Sequence, residues 1–323
     1  MRRNAELERW RSDSAGQRNA QHAFEAARRD WQEGAAGEVL AALEAYGADA
    51  NLLDCQPLRD AMTDRDMAER LVSPLIDSLV AAQRIHPLGQ IPFRHLYSNG
   101  SGLLQLARSG RATLSLVFYE AVAVADEAAS TIAFADGERH ELCLAGEAVA
   151  RILRLEKEAG DQAEIAAERV RLCAGTVLEL GADKTKRLES VAGRLVLLRL
   201  SREAIAPGPS REYRIADGAL VHCASGDHEE SRDEIAIALL ARMGRTDVVP
   251  ALAQIVKGER SDHLRWQALR AALALDTAEG FALLTGLAED SGDMLAPTAI
   301  ALRDRLLADY PELARLETRL CPA

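Results

Sequence analysis

The chain is 323 residues long, 48% hydrophobic and 28% charged, with a formal net charge of −11. That length holds two or three domains with ordinary cores. The acidic balance argues against broad binding to nucleic acid or anionic membranes, which want basic surface, and no run of about 18 uncharged apolar residues exists to span a bilayer.

Aromatic residues make up only 4% of the chain, so Leu, Ala, Val and Ile must build the core. The only lysines are Lys157, Lys184, Lys186 and Lys257. The excess of Arg over Lys reads as the coding bias of a GC-rich bacterium rather than as a binding signature. Cys55, Cys143, Cys173, Cys223 and Cys321 are odd in number, widely spaced and without a CxxC pair, which fits a reducing cytoplasm. The charged start, MRRNAELERW, leads into no apolar stretch and is not a signal peptide.

In chain order, residues 1–87 form a helical N-terminal segment. Residues 6–31 are polar and weakly amphipathic, anchored by Trp10, Phe24 and Trp31, and fit either a frayed arm or an oligomerisation helix. Gly37 to Tyr46 is a helix with Val39, Leu40, Leu43 and Tyr46 on one side. A longer helix is expected from about Thr63 to Arg84, with Met67, Leu71, Leu75, Ile76, Leu79 and Val80 at helical spacing and Asp64 as its N-cap. Pro74 should kink or break it.

Residues 88–223 change to strand alternation. Thr113 to Glu120 reads as a strand with Leu114, Leu116 and Phe118 on one face. Asp136-Gly137 and Asp217-Gly218 read as hairpin turns between short strands. Further strands fall at 170–172, 176–180 and 195–200, whereas 147–158 fits a helix or another strand pair. Lys184, Lys186 and Arg187, the densest basic cluster, suit an acidic partner or a phosphate, and read otherwise as an exposed hairpin tip. Cys143 and Cys173, in apolar strand contexts, read as core.

Residues 224–323 return to helices. Ser231 to Met243 is expected to bury Ile235, Ala238, Leu239 and Met243, with Ser231 and Glu234 at capping-box spacing. Further helices follow over 246–256, 261–275, 277–287 and 293–309, the last with Met294, Leu295, Ile300 and Leu302 inward. Ser231 recurs as Ser261 and Ser291, with two helices per interval. That pattern resembles the HEAT family of stacked helical hairpins, which implies a surface for partner proteins.

The stretch Ala174 to Asp183, with Gly175 at its turn, then Arg187 to Arg199 around Gly193, is similar to the cupin pattern. The resemblance implies a β-barrel. Metal-binding cupins carry a His-x-His and a Glu after the Gly turn, where this chain has Lys184-Thr185-Lys186-Arg187, so the family's metal chemistry is not implied. The fold class expected is therefore α+β multidomain: a helical segment, a β-rich barrel or sandwich of cupin-like kind, and HEAT-like helical repeats.

Each candidate site residue has an ordinary structural reading beside the functional one. His222, Asp227, His228 and Glu229 suit a transition metal or an acid/base pair, or equally a solvated linker. His86, Arg94 and His95 suit an anion, or packing at a junction. Arg265 and Trp266 have the composition of interface hot spots, although Trp266 fits the hairpin core as well. No catalytic or dinucleotide motif is present. The leading expectation is a cytoplasmic regulatory or scaffold protein that is not an enzyme. It would have a protein partner, a possible small-molecule ligand, no cofactor, and neither membrane nor nucleic acid as target. The alternative is a cupin-like enzyme or small-molecule sensor whose pocket gathers His95, His140, Glu179 and His222, with a transition metal only in that case.

Overall fold

The computed structural model describes residues 10–121 and 130–317. Cys321 and the first nine residues therefore lie outside the described residues. The chain divides into two compact units, one of residues 1–205 with 212–221, the other of 206–211 with 222–323.

In the first unit the helices that precede the strands include α1 (Ser14–Glu33), α2 (Gly37–Gly47), α3 (Gln56–Thr63) and α4 (Arg65–Ile85). The polar first helix is neither frayed nor unpartnered. Phe24 and Trp31 are buried, and the Trp31 indole donates to the Leu71 carbonyl at 2.7 Å, which locks α1 onto α4. Asp64 caps α4 by accepting from the Asp66 and Met67 amides. Pro74 sits inside an unbroken α4, not at a break. It lies on the exposed side, where solvent can satisfy the carbonyl deprived of its partner.

Among the described residues ten strands follow: β1 (His95–Ser98), β2 (Ser101–Ser109), β3 (Ala112–Glu120), β4 (Thr131–Phe134), β5 (Gly137–Ala159), β6 (Gln162–Leu172), β7 (Val177–Leu180), β8 (Lys184–Glu203), β9 (Ser210–Arg214) and β10 (Leu220–Ala224). The main sheet runs β1-β2-β3-β8-β5-β6, with β7 also paired to β5. The stretch 147–158, ambiguous between helix and strand, lies within β5. The turn expected at Asp136-Gly137 is not a hairpin: β4 pairs in a separate sheet of order β10-β9-β4, and β5 pairs with β6, β7 and β8. A type I′ turn needs two positive φ angles, and only Gly137 has one.

Strands β5 and β8 bend together. Gly137 to Ala145 pairs with Val196 to Glu203, and Glu147 to Arg154 pairs with Lys184 to Ala192, with register shifts between Cys143 and Glu147. At the corner Gly146 has φ +91°, and a Cβ there would stand 2.0 Å from the Arg194 carbonyl oxygen, so glycine is required. The bend folds the sheet on itself. Cys143, Leu195 and Leu197 from one half pack with Ala148, Ala150, Leu172 and Val191 from the other. The outer face of the first half (Leu114, Leu116, Leu142, Leu144, Leu198, Leu200) shares one continuous core with helices α1 to α4. The change at residue 88 is thus a change of secondary structure within one unit.

The longer helices described in the second unit are α5 (His228–Arg242), α6 (Val249–Lys257), α7 (Asp262–Leu275), α8 (Thr277–Glu289) and α9 (Ala296–Asp309), followed by the short α10 (Ala314–Glu317). Helix α7 packs against α5, α6 and α8, and α8 against α9. The serine interval does not mark equivalent positions. Asp227 caps α5, leaving Ser231 inside the helix; Ser261 caps α7; Ser291 precedes a helix capped at Leu295. Alternate helices instead begin at His228, Asp262 and Ala296, 34 residues apart. The α7–α8 hairpin is tight, since a Cβ on Gly280 would lie 2.4 Å from the Leu273 amide nitrogen.

Candidate functional site

Inside the folded sheet lies a cluster of charge. Glu141 on β5 is fully buried, and its two oxygens are held from both halves of the sheet: Lys186 from the start of β8 and Arg199 from its end, the latter at 2.8 Å. Arg199 also donates to the Tyr119 hydroxyl at 3.0 Å. The Lys186 ammonium lies 5.7 Å from the centre of the Tyr119 ring. Burial pushes the Glu141 carboxyl up, but Lys186 and Arg199 outweigh it and hold it below the ordinary carboxylate range. Lys186 is therefore not at an exposed tip. Its side chain is only 4% exposed, because the fold in the sheet brings the basic start of β8 against a carboxylate 45 residues earlier.

A third cation joins this cluster. Arg139 stands two residues before Glu141 on the same face of β5, and both Glu141 oxygens are already taken. No hydrogen bond or ion pair to Arg139 exists among the described residues. Burial, then repulsion from Arg199, lowers its affinity for its proton. Arg139 faces a recess of about 170 Å³ where β4 gives way to β5, lined also by Gly181, Lys184, Thr185, Ser201 and Arg202. Arg139 and Ser201 are directly opposed across β5 and β8. At the rim, Glu138 is bound by Arg202 at 2.9 Å and by the Tyr46 hydroxyl at 2.8 Å, and Arg202 stacks 4.0 Å from the Tyr46 ring centre.

The cysteines divide differently from the sequence reading. Cys143 is buried, and desolvation pushes its thiol up to about 11. Cys173 is exposed, because it lies in the turn that leads to β7.

Of the four residues expected to share a pocket, the structure brings together two. His140 and Glu179 are opposed in the β5–β7 pairing, with His140 half-buried and Glu179 exposed. Burial lowers the His140 pKa more than Glu179 and Glu138 raise it, which keeps the ring neutral at pH 7. His95 lies on β1, with three strands between it and β5 in sheet order, and lines a cleft of about 800 Å³ against α1. His222 is exposed on β10 and belongs to the second unit. Among the described residues no three of His, Cys, Asp and Glu gather within reach of one metal ion.

No protein-family model matches the chain, and no curated protein matches it. Solved structures align to part of it. The 7S globulin of Momordica charantia aligns at 14% identity and TM-score 0.27, over 38% of this chain and 35% of that one. A cupin superfamily protein of Desulfitobacterium hafniense aligns at 18% identity and TM-score 0.22, over 34% and 83%. Vicilin of Capsicum annuum aligns at 20% identity and TM-score 0.26, over 38% and 33%. The chain thus spans about a third of the globulin and of the vicilin it aligns with.

The second unit presents a different surface. Helix α5 turns the expected stripe outward: Ile235, Leu239 and Met243 are 68%, 57% and 59% exposed. Its inward side carries Glu230, Glu234 and Ile237. Glu230 accepts from the Ser225 hydroxyl and from the Ser261 amide, both at 2.9 Å, and Glu234 accepts from the Ser225 amide at 3.1 Å. These bonds satisfy the N-terminus of α7 and decide which side of α5 turns in. Met294 and Ile300 are likewise exposed rather than core. Arg265 is directed into its own unit, bonding the Val256 carbonyl at 2.9 Å, Asp262 at 3.3 Å and Asp293 at 3.2 Å. Trp266 is half-buried against the helical core and lines a groove of about 630 Å³ with Leu273, Leu302, Leu306 and Tyr310. Nothing in the residues around Arg139 marks it in advance as a cation without an ion-pair partner. Only the fold in the sheet puts it beside Arg199.

Proposed function

We propose that the protein is a regulatory or scaffold protein of the bacterial cytoplasm whose helical unit is a protein-interaction surface. The observation that carries this reading is helix α5, which buries two glutamates and exposes a continuous row of three large apolar side chains. Such a row at i, i+4 and i+8 costs solvation in the free protein and is what a partner covers. Pairwise packing of α5 to α9 supports a HEAT-like stack, although the 34-residue interval is shorter than the 40–47 usual for that family. Arg265 pins the loops of this stack, and the Trp266 groove supplies a second apolar surface. The charge of −11 supports a protein partner over nucleic acid or membrane. Four described cysteines without disulfides fit a reducing compartment.

The test compares the full chain with Ile235→Asp/Leu239→Asp as bait in extract of its own source cells. Both substitutions are on exposed positions, so the circular dichroism spectrum and melting temperature should be unchanged. At least one protein retained by the wild type should be lost by the variant. An identical retained set counts against the reading. The cupin-like enzyme or sensor, with a pocket drawn from His95, His140, Glu179 and His222, is supported only by the opposition of His140 and Glu179. Stoichiometric iron, zinc or nickel in the purified protein would favour it.

A further inference from the structure

We propose that the recess at the β4–β5 junction is a binding site for a small oxyanion, a carboxylate or phosphate group held by Arg139 and Lys184 with hydroxyl donors from Thr185 and Ser201. The proposal concerns the first unit alone and stands whether or not the helical unit is a partner surface.

The argument begins with charge. Three cations, Arg139, Lys186 and Arg199, surround one buried carboxylate, Glu141, and Lys186 and Arg199 occupy both its oxygens. An uncompensated cation withdrawn from water is costly, so an anion that reaches it gains more than it would at an exposed arginine. Arg139 is that cation, and it is not sealed in: it lines the recess. Lys184 lines the same recess without an ion-pair partner among the described residues, and neither the Thr185 nor the Ser201 hydroxyl has a hydrogen-bond partner there. Two free positive charges and two free hydroxyls thus converge on one cavity.

The acidic rim does not cancel them. Glu138 is neutralised by Arg202 and bonded by Tyr46, Glu203 lies 3.9 Å from Arg108, and Asp136 also has a partner. Size sets the class. About 170 Å³ admits a carboxylate or phosphate group and is well below the roughly 300–1,000 Å³ of pockets that enclose larger ligands. A guanidinium fork with hydroxyl donors matches the planar or tetrahedral oxygens of such a group.

The test is isothermal titration calorimetry on the full chain with sodium phosphate and, separately, sodium acetate, each against sodium chloride at the same ionic strength. Saturable binding of phosphate or of acetate beyond chloride is expected, and the two titrations tell which oxyanion fits. Arg139→Gln should weaken it about tenfold or more, the loss of one charge-assisted hydrogen bond. Lys184→Gln, an exposed substitution that leaves the buried cluster intact, should weaken it by a smaller factor. Without ligand, Arg139→Gln should melt no lower than the wild type, because an orphan cation is removed. Absence of saturable binding by either anion overturns the proposal. So does binding that survives undiminished in both variants.

Discussion

Glu141 is the residue on which the folded sheet turns, because its oxygens hold Lys186 and Arg199 from opposite ends of β8. Replacing it with Gln leaves three cations near one another in low dielectric. Glu141→Gln should therefore lose about 3–5 kcal/mol of stability by urea titration, and Glu141→Gln/Lys186→Met should recover part of that loss. Because the folded carboxyl titrates below its unfolded value of about 4.3, its contribution is complete above that value. It fades as pH falls through the lower folded pKa. Acid unfolding of the wild type should accordingly be steeper than that of Glu141→Gln in this range. Thiol chemistry separates two other residues. Iodoacetamide on the native protein should label exposed Cys173 and spare Cys143, whose thiol stays protonated at neutral pH. Mass spectrometry of the labelled peptides reads this directly.

At the scale of elements, periodicity located most helices and strands, and tertiary contacts decided which side of them turned inward. Strand β3 and helices α2 and α4 stand where alternation, apolar spacing and the Asp64 cap put them. Helix α5 was legible as a helix but not in orientation. Its apolar row has good helical spacing, yet the open amide of Ser261 and the hydroxyl of Ser225 draw Glu230 inward, and those contacts lie 31 and 5 residues away along the chain. The fold of β5 over β8 was equally hidden, because register shifts around Gly146 break the alternation that reveals a strand's two faces. For the same reason Lys184, Lys186 and Arg187 read as one exposed cluster, whereas Lys186 is buried. The Arg265 clamp belongs to this scale too. Arg265→Ala leaves Asp293, itself mostly buried, without its strongest partner and should destabilise the helical unit by about 1–3 kcal/mol in thermal or chemical melts.

At the scale of the molecule, the two units divide the work of burial unequally. The first closes a continuous core between helices and sheet, and keeps its buried charge paired except at Arg139. The second closes a smaller core from helical pairs, and leaves α5 with its apolar row in solvent. What the sequence alone conveys about function is an expectation drawn from helical periodicity and composition, and the exposed row on α5 is the structural feature that bears on it. The direct test is hydrogen–deuterium exchange of the full chain with and without a partner retained by the wild-type bait. Binding should slow exchange most over 228–243, the helix that carries Ile235 and Leu239 with its C-cap Met243. Protection confined to other segments, with that helix exchanging at its free rate, would contradict the assignment of this face as the contact surface.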